Sequence, residues 1–340
     1  MNSWNEVYAN AKDKCTICRC CIHCNGKACR GETPGPGGKG SGDSFVRNVS
    51  MWKQVFIKMD TIADISHIDT TTKFFQHPVR LPVYAAPISG IRQNYGADMD
   101  DDVYTQQLIE GCLQAGSLAF TGDGMYLDMF EKPANIIKEH NGYGVCTMKP
   151  WIWEHLQKRI DIANEMKPIA VASDVDASGL TNLRKSVIPV HFKNVEDLRL
   201  MKSKLNVPFI IKGIMSVEGA KKAMEAQADG IIISNHGGRV LDDCLSGVEV
   251  LSEIVKVVNG KMKIFIDGGI RSGNDVFKAL ALGADGVLIG RPISHAVIGG
   301  GSEGVRIYMD KIEMELKEAM AMSGCSKLSD ITEDKVIVKF

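Results

Sequence analysis

Eight short apolar runs recur between residues 81 and 290, and the stretches between them read as helix. The runs are Leu81–Ile88, Ser117–Thr121, Tyr143–Met148, Ile169–Asp174, Pro208–Ile214, Gly230–Ser234, Lys263–Asp267 and Gly286–Gly290. Most are rich in Val and Ile, bounded by Gly or Pro, and apolar nearly throughout. Strands buried on both faces read this way, whereas a strand with one wet face alternates. A helical period is clearest in Val195–Leu205, Val217–Ala228, Gly247–Val258 and Asn274–Leu282. Ser216, followed by Glu218, is an N-cap with an acidic first turn. Strands alternating with helices make parallel βαβ units. Eight such units predict a (β/α)8 TIM barrel more than an open sheet.

The chain of 340 residues has room for a barrel and an extension. Residues 1–80 break the alternation. They hold a Cys-rich segment, a Gly/Pro-rich link (Gly31–Gly42) and a helix expected from Phe45 to about Lys58, and are read as an extension packed on the barrel. The barrel is placed at 81–328, closed by a long helix, Glu303–Met322, with a short peripheral tail at 329–340. The formal net charge is −1, so no nucleic-acid or anionic membrane partner is expected. No apolar run approaches the about 20 residues of a membrane span. Met1–Lys14 is polar and lacks the apolar core of a signal peptide. The expected compartment is the cytoplasm, where disulfides are rare, so the ten cysteines read as thiols or metal ligands rather than bridges.

Barrel enzymes keep their chemistry at the C-terminal ends of the strands, and the polar motifs fall there. The fifth run ends in Ile211-Lys212-Gly213 and the sixth in Ser234-Asn235-His236-Gly237-Gly238-Arg239. The glycines admit close backbone approach to a ligand. The histidine can move a proton near neutral pH, and the arginine can grip a carboxylate with two parallel hydrogen bonds. The seventh run gives Asp267-Gly268-Gly269-Ile270-Arg271-Ser272-Gly273 and the eighth Gly290-Arg291-Pro292. Exposed backbone N–H groups, a following helix N-terminus and two arginines make a phosphate grip, placed where barrels bind phosphate. No Gly-x-Gly-x-x-Gly run follows the first strand, which speaks against a dinucleotide.

These motifs resemble the FMN-dependent 2-hydroxy-acid oxidase and dehydrogenase family, which includes glycolate and lactate oxidases. The matching residues are Lys212, Ser234–Arg239, Leu241-Asp242, Asp267–Arg271 and Gly290-Arg291-Pro292, with Ala86-Pro87 upstream and the segment Gly40–Asn48 before the first helix. The resemblance covers about residues 40–328 and is strongest after 205. It implies FMN as cofactor and a small L-2-hydroxy acid as substrate, lactate being one candidate. Oxygen or another acceptor would take the electrons, and a homotetramer is implied. His236 is then the base. Arg239, beside His236, holds the substrate carboxylate. Lys212 stabilises the reduced flavin. Asp267, Gly268, Gly269, Arg271, Gly290 and Arg291 hold the ribityl phosphate, and Ser234 touches the flavin. Asp174 pairs with His236 by its spacing to Gly179, with Asp176 as a rival.

The chain also departs from that family. The family's tyrosines, one in the segment before the first helix and one at the end of the third strand, are missing. The third strand ends in Thr147-Met148-Lys149, and of the arginine pair after the fourth-strand aspartate only Arg184 remains. Cys15, Cys18, Cys20, Cys21, Cys24 and Cys29 are dense enough for an iron–sulfur cluster or zinc, or are reduced thiols in a covering loop; no metal ligand is assigned. The cluster lies far in sequence from every strand end, so replacing Cys15, Cys18, Cys21 and Cys24 by Ser is expected to leave FMN bound. Cys112, Cys146, Cys244 and Cys325 read as small core residues, and His155, His191 and His295 as structural. Two other functions compete: an FMN-dependent isomerase resembling type 2 isopentenyl-diphosphate isomerase, and a flavoprotein electron carrier or redox sensor using the N-terminal cysteines. The His-Gly-Gly-Arg run favours the oxidase.

Overall fold

Each of the eight apolar runs contains a strand, and the strands form one parallel barrel. The structure, a computed structural model, describes residues 3–184 and 188–340. The strands are β1 (Val83–Ala85), β2 (Phe120–Thr121), β3 (Val145–Met148), β4 (Ala170–Asp174), β5 (Phe209–Ile214), β6 (Gly230–Ile233), β7 (Lys263–Asp267) and β8 (Gly286–Ile289). They hydrogen-bond in sequence from β2 to β8, and β8 returns to β1. A bridge between Ala85 and Ala119 closes the ring. Both strand faces are buried, which is why the runs are apolar throughout. Tyr84, Phe120, Ile210, Ile232, Phe265 and Leu288 fill the interior. Their neighbours Val83, Ile211, Ile231, Ile264 and Val287 face the helices. Phe74, on a hairpin of Thr72–Phe74 with His77–Val79, stacks on Phe265 at 5.2 Å and plugs one end.

Ten helices of eight residues or more are described: α1 (Trp4–Lys14), α2 (Asp43–Ser50), α3 (Asp101–Gln114), α4 (Asp128–Glu139), α5 (Trp153–Met166), α6 (Val195–Lys204), α7 (Val217–Glu225), α8 (Gly247–Val258), α9 (Gly273–Ala281) and α10 (Arg291–Met322). The Ser216 hydroxyl caps α7 by accepting from Gly219 N–H. Two expectations are corrected. The helix expected over 45–58 ends as α-helix at Ser50 and runs on only as a 3-10 turn, Met51–Gln54, because Val55–Ile57 is a strand paired antiparallel with Val336–Val338. That pairing holds the short tail to the extension. The closing helix starts at Arg291, not Glu303, and a backbone break at Gly301 (φ 60°, ψ −147°) divides it, leaving the expected helix as its second half. No described helix is long and apolar enough to cross a membrane.

The extension reaches both the side and the top of the barrel. Val7 and Ala11 of α1 are buried, and Trp4 packs on Tyr308 of α10 with ring centroids 4.6 Å apart. From Cys15 to Gly42 the chain crosses the C-terminal ends of the strands. Helix α2 then locks onto the loop after β6 through reciprocal side-chain hydrogen bonds between Asn48 and Asn235, at 2.7 and 2.8 Å.

Candidate active site

A cavity of about 350 Å³ opens at the C-terminal ends of the strands. Ala86 and Pro87 line it after β1, Lys149 after β3, Lys212 on β5, His236 and Arg239 after β6, Asp267–Arg271 after β7, and Gly290 and Arg291 after β8. Gly35 and Pro36 of the extension complete the wall. Leu180, Leu183, Met125 and Met129 form an apolar sector.

Charge is concentrated between β3, β4 and β5. Asp174 and Lys212 are register partners on adjacent strands, so their side chains leave the sheet on one face. Lys212 Nζ lies 2.9 Å from Asp174 Oδ1 and 3.7 Å from Asp267 Oδ2. Lys149 Nζ lies 2.5 Å from Asp174 Oδ2. All four groups are buried. Burial alone would raise the Asp174 pKa, but the Lys149 and Lys212 cations outweigh it and hold the carboxyl far below the usual range. Burial disfavours the Lys212 cation, yet Asp174, Asp176 and Asp267 push its pKa up, so it stays charged. Asp267 is pushed up by burial, with Lys212 opposing.

His236 pairs with Asp176, not with Asp174: Nδ1 lies 3.0 Å from Asp176 Oδ1. The spacing argument that chose Asp174 is overturned by a bulge. The β5–β6 register shifts between Lys212 and Ile214, and Gly213 there has φ 106°, where a Cβ would fall 2.6 Å from Asp176 Cβ and Cγ. A bare α-carbon at 213 lets Asp176 reach the imidazole, while Asp174 serves the two lysines. His236 has φ 58°, uncommon for a side-chain-bearing residue and typical of strand ends that aim a functional group. Its N–H donates to Ser234 Oγ at 3.0 Å. Burial and Lys212 lower the histidine pKa against the pull of Asp176, leaving the ring neutral near pH 7. With Nδ1 held by the carboxylate, Nε2 is the nitrogen left for chemistry.

Arg239 is oriented by Asn94, whose Oδ1 accepts from Nη2 at 2.8 Å, and by the Gly35 carbonyl at 3.3 Å. Its Nε is buried with no partner among the described residues. Burial, with Arg291 nearby, lowers its pKa to about 10, so it remains a cation. Arg184 ends a short helix, Thr181–Arg184; its side chain lies outside the described residues.

The residues expected to hold the phosphate and the flavin line one cavity, except Ser234 and with a reservation over Asp267. Gly268 and Gly269 have φ 93° and 83°, and a Cβ on Gly269 would fall 1.8 Å from the Asn48 carbonyl oxygen. Arg271 donates to the Cys24 carbonyl at 2.9 and 3.2 Å. Arg291 donates to Pro36 O at 2.8 Å and to Gly37 O and Gly237 O, and its guanidinium lies 3.7 Å from the centroid of the Phe45 ring. Both arginines thus also clamp the extension. The exception, Ser234, is fully buried, accepts from His236 N–H, and does not line the cavity. The reservation concerns Asp267, an anion that would repel phosphate. Its Oδ1 is buried with no partner among the described residues, and an acceptor of that kind suits a hydroxyl donor.

Sequence reasoning missed three supports. Asp123, fully buried after β2, accepts from Lys149 N–H (2.9 Å), Trp151 Nε1 (2.7 Å) and Arg159 Nε (3.0 Å), and so fixes the end of β3. A signal was present: Arg159 sits on the apolar stripe of α5 with Leu156, Ile160 and Ala163, where a cation needs a buried partner. Asn48 and Asn94 carried no such mark.

The sequence matches the FMN-dependent dehydrogenase family over residues 36–117 and 135–338. A match of that extent, over a parallel barrel with its polar motifs at the strand ends, shows that the chain belongs to this family. Its cofactor is FMN, and it is an FMN-dependent 2-hydroxy-acid oxidase or dehydrogenase. The peroxisomal (S)-2-hydroxyacid oxidase GLO3 of Arabidopsis thaliana is 30% identical, over 88% of this chain and 90% of that protein. The 4-hydroxymandelate oxidase of Amycolatopsis orientalis is 29% identical, over 86% and 89%. A mandelate oxidase variant with (S)-mandelic acid superposes with a TM-score of 0.78 at 25% identity, covering 100% of this chain and 99% of that one. A second, with a monooxide FMN adduct, gives 0.75 at 29% identity over 90% and 94%. The isomerase and electron-carrier alternatives give way to the oxidase.

The residues fit FMN on the structure's own terms. The cavity holds a left-handed glycine cradle, two arginines for one phosphate, an orphaned carboxylate oxygen for a ribityl hydroxyl, and a buried lysine cation for the electron-rich edge of the ring.

Proposed function

We propose that the protein oxidises a small aliphatic L-2-hydroxy acid, with L-lactate the first substrate to test, to the corresponding 2-oxo acid. The observation that carries this reading is the pair formed by a neutral, Asp176-held His236 and a buried Arg239 with an unpaired Nε on one cavity wall. Arg239 and the substrate carboxylate form the anchoring ion pair. His236 Nε2 takes the proton the substrate gives up, and Asp176 stabilises the imidazolium that results. FMN, when bound, would accept the two electrons together with the substrate's other hydrogen. Lys212 holds positive charge beside the ring, and Asp174 with Lys149 keeps Lys212 in place. Gly268, Gly269, Gly290, Arg271 and Arg291 bind the phosphate, and Asp267 a ribityl hydroxyl. The apolar sector of Met125, Met129, Leu180 and Leu183, in a cavity that must also hold the flavin, supports a short alkyl side chain on the substrate.

The remaining readings rest on composition and resemblance. We read residues 1–80 as an extension, 81–328 as the FMN barrel and 329–340 as a tail. The ten free cysteines support a reducing compartment such as the cytoplasm. Family likeness supports a homotetramer, with oxygen or another acceptor reoxidising the flavin. Anaerobic mixing with lactate, glycolate, 2-hydroxybutyrate and mandelate, followed by flavin absorbance, tests the reaction. Fast bleaching by lactate is expected; bleaching by none of them would overturn the reading.

A further inference from the structure

Six of the ten cysteines lie between Cys15 and Cys29. They precede the region that matches the family, and the oxidation chemistry uses none of them. The fold nevertheless gathers several onto one buried spot. The sulfurs of Cys18 and Cys20 and a ring nitrogen of His295 lie within 4.8 Å of one another. Cys18 Sγ is 3.3 Å from His295 Nε2. Cys15 is near enough to raise the Cys20 thiol pKa, while standing outside that 4.8 Å group. Cys20 and His295 are 2% and 1% exposed, and all the cysteines are free.

His295 stands out among buried polar groups. It lies in the first half of α10, one helical turn after Arg291. Its Nδ1 has no partner among the described residues, and its Nε2 meets only a thiol. The rings of Tyr8 and Tyr95 stand edge-on to it, with centroids 5.6 and 5.9 Å away. A buried imidazole facing clustered sulfurs behind an aromatic wall lacks the oxygen partners that would explain it as a core residue.

We propose that Cys18, Cys20 and His295, with the nearby Cys15 moving in as the fourth ligand, bind one divalent ion of the zinc class in tetrahedral Cys3His coordination. Thiolate and imidazole are the ligands that select such ions. Metal–ligand bonds of about 2.0–2.3 Å place neighbouring ligand atoms about 3.4–3.8 Å apart; the Cys18–His295 distance of 3.3 Å is close to this, and the three atoms lie within 4.8 Å of one another. A multi-iron cluster would stand between its cysteines and hold their sulfurs further apart. The ion would tie two separate parts of the chain. His295 belongs to the helix that begins with Arg291, and Cys24, four residues after Cys20, gives its carbonyl to Arg271. The site thus pins the extension over both arginines of the phosphate grip. Ligand thiols lose their protons on binding, so affinity rises with pH.

The test is the metal content of the full-length FMN protein, purified under reducing conditions without added chelator. About one zinc per chain is expected. Exchange for cobalt should add thiolate-to-cobalt charge-transfer absorbance, read as a difference spectrum against the flavin. Cys18→Ser, Cys20→Ser and His295→Ala should each lower the stoichiometry at least tenfold, while Cys112→Ser and Cys325→Ser keep it. If a ligand variant does not fold, alkylation of the wild-type protein decides: zinc should protect Cys18 and Cys20 from iodoacetamide at least tenfold relative to the chelated protein. Absence of tight zinc or cobalt binding overturns the proposal. So does undiminished metal in the ligand variants, unprotected Cys18 and Cys20, or iron with acid-labile sulfide in place of zinc.

Discussion

At the scale of single residues, two aspartates two positions apart hold different partners. Asp176 serves the histidine and Asp174 the lysines. His236→Ala should retain FMN and slow flavin reduction by roughly 10²-fold to 10⁴-fold, the usual size of general base catalysis, as read in single-turnover reduction. The pH dependence follows from burial. Because the folded His236 pKa lies below its ordinary value, the active neutral ring is already formed at neutral pH. kcat/KM should climb with pH on an acid limb below that ordinary value and then level off. Asp176→Asn removes the anion that favours the imidazolium, so its limb should move to still lower pH while the plateau falls. A limb that moves instead in Asp174→Asn would return the pairing to Asp174. Arg239→Lys should weaken substrate binding although charge is kept, because an ammonium lacks the fork; unchanged affinity would shift the anchor to Lys149. His236, Arg239, Lys212 and the glycine cradle were legible because each stands in a run whose chemistry has few other uses. The choice between Asp174 and Asp176 was not, since it depends on a bulge at Gly213 that spacing cannot show. His295 was passed over for the same reason: its sulfur partners lie more than 260 positions away.

At the scale of elements, strand ends are set by buried polar contacts that periodicity does not report. The β2 and β3 ends are joined to α5 by Asp123 and Arg159, whose side chains are 0% and 1% exposed. Arg159→Met should cost about 3–5 kcal/mol in urea unfolding, because it leaves a buried carboxylate unpaired. It should also raise KM, since Lys149 hangs from the same strand end. A loss under about 1 kcal/mol, the scale of an exposed ion pair, would show that water reaches Asp123. Helix α2 is held differently, by the paired amides of Asn48 and Asn235. Asn48→Ala should cost about 1–3 kcal/mol, the usual penalty for an unpaired buried polar group, and loosen FMN, as measured by flavin release on dilution. The strand runs and most helices were readable from pattern alone. The helix expected over 45–58 failed because Val55-Phe56-Ile57 alternates in burial and pairs with a strand near the C-terminus, a partner outside any local window.

At the scale of the whole molecule, the extension behaves as part of the active-site wall. The expectation that replacing the cysteines leaves FMN bound rested on distance in sequence. Arg271 and Arg291 meet the backbone carbonyls of Cys24 and Pro36, contacts that replacement by Ser keeps, whereas deletion of the segment removes the one to Cys24. A chain lacking residues 1–34 should therefore bind FMN more weakly, by tenfold or more in fluorescence titration, while keeping the far-ultraviolet signature of the barrel; unchanged affinity would make the contacts incidental. Those same contacts span 247 and 255 positions, and this has a consequence for biogenesis. The ribosome delivers the cysteine segment well before its anchors after β7 and β8. At about 5–20 residues per second, the cysteine segment waits roughly 12–50 s for the surface that shelters it. During that interval its thiols lie unsheltered, so maturation includes the return of an early segment onto strand ends made about 250 residues later.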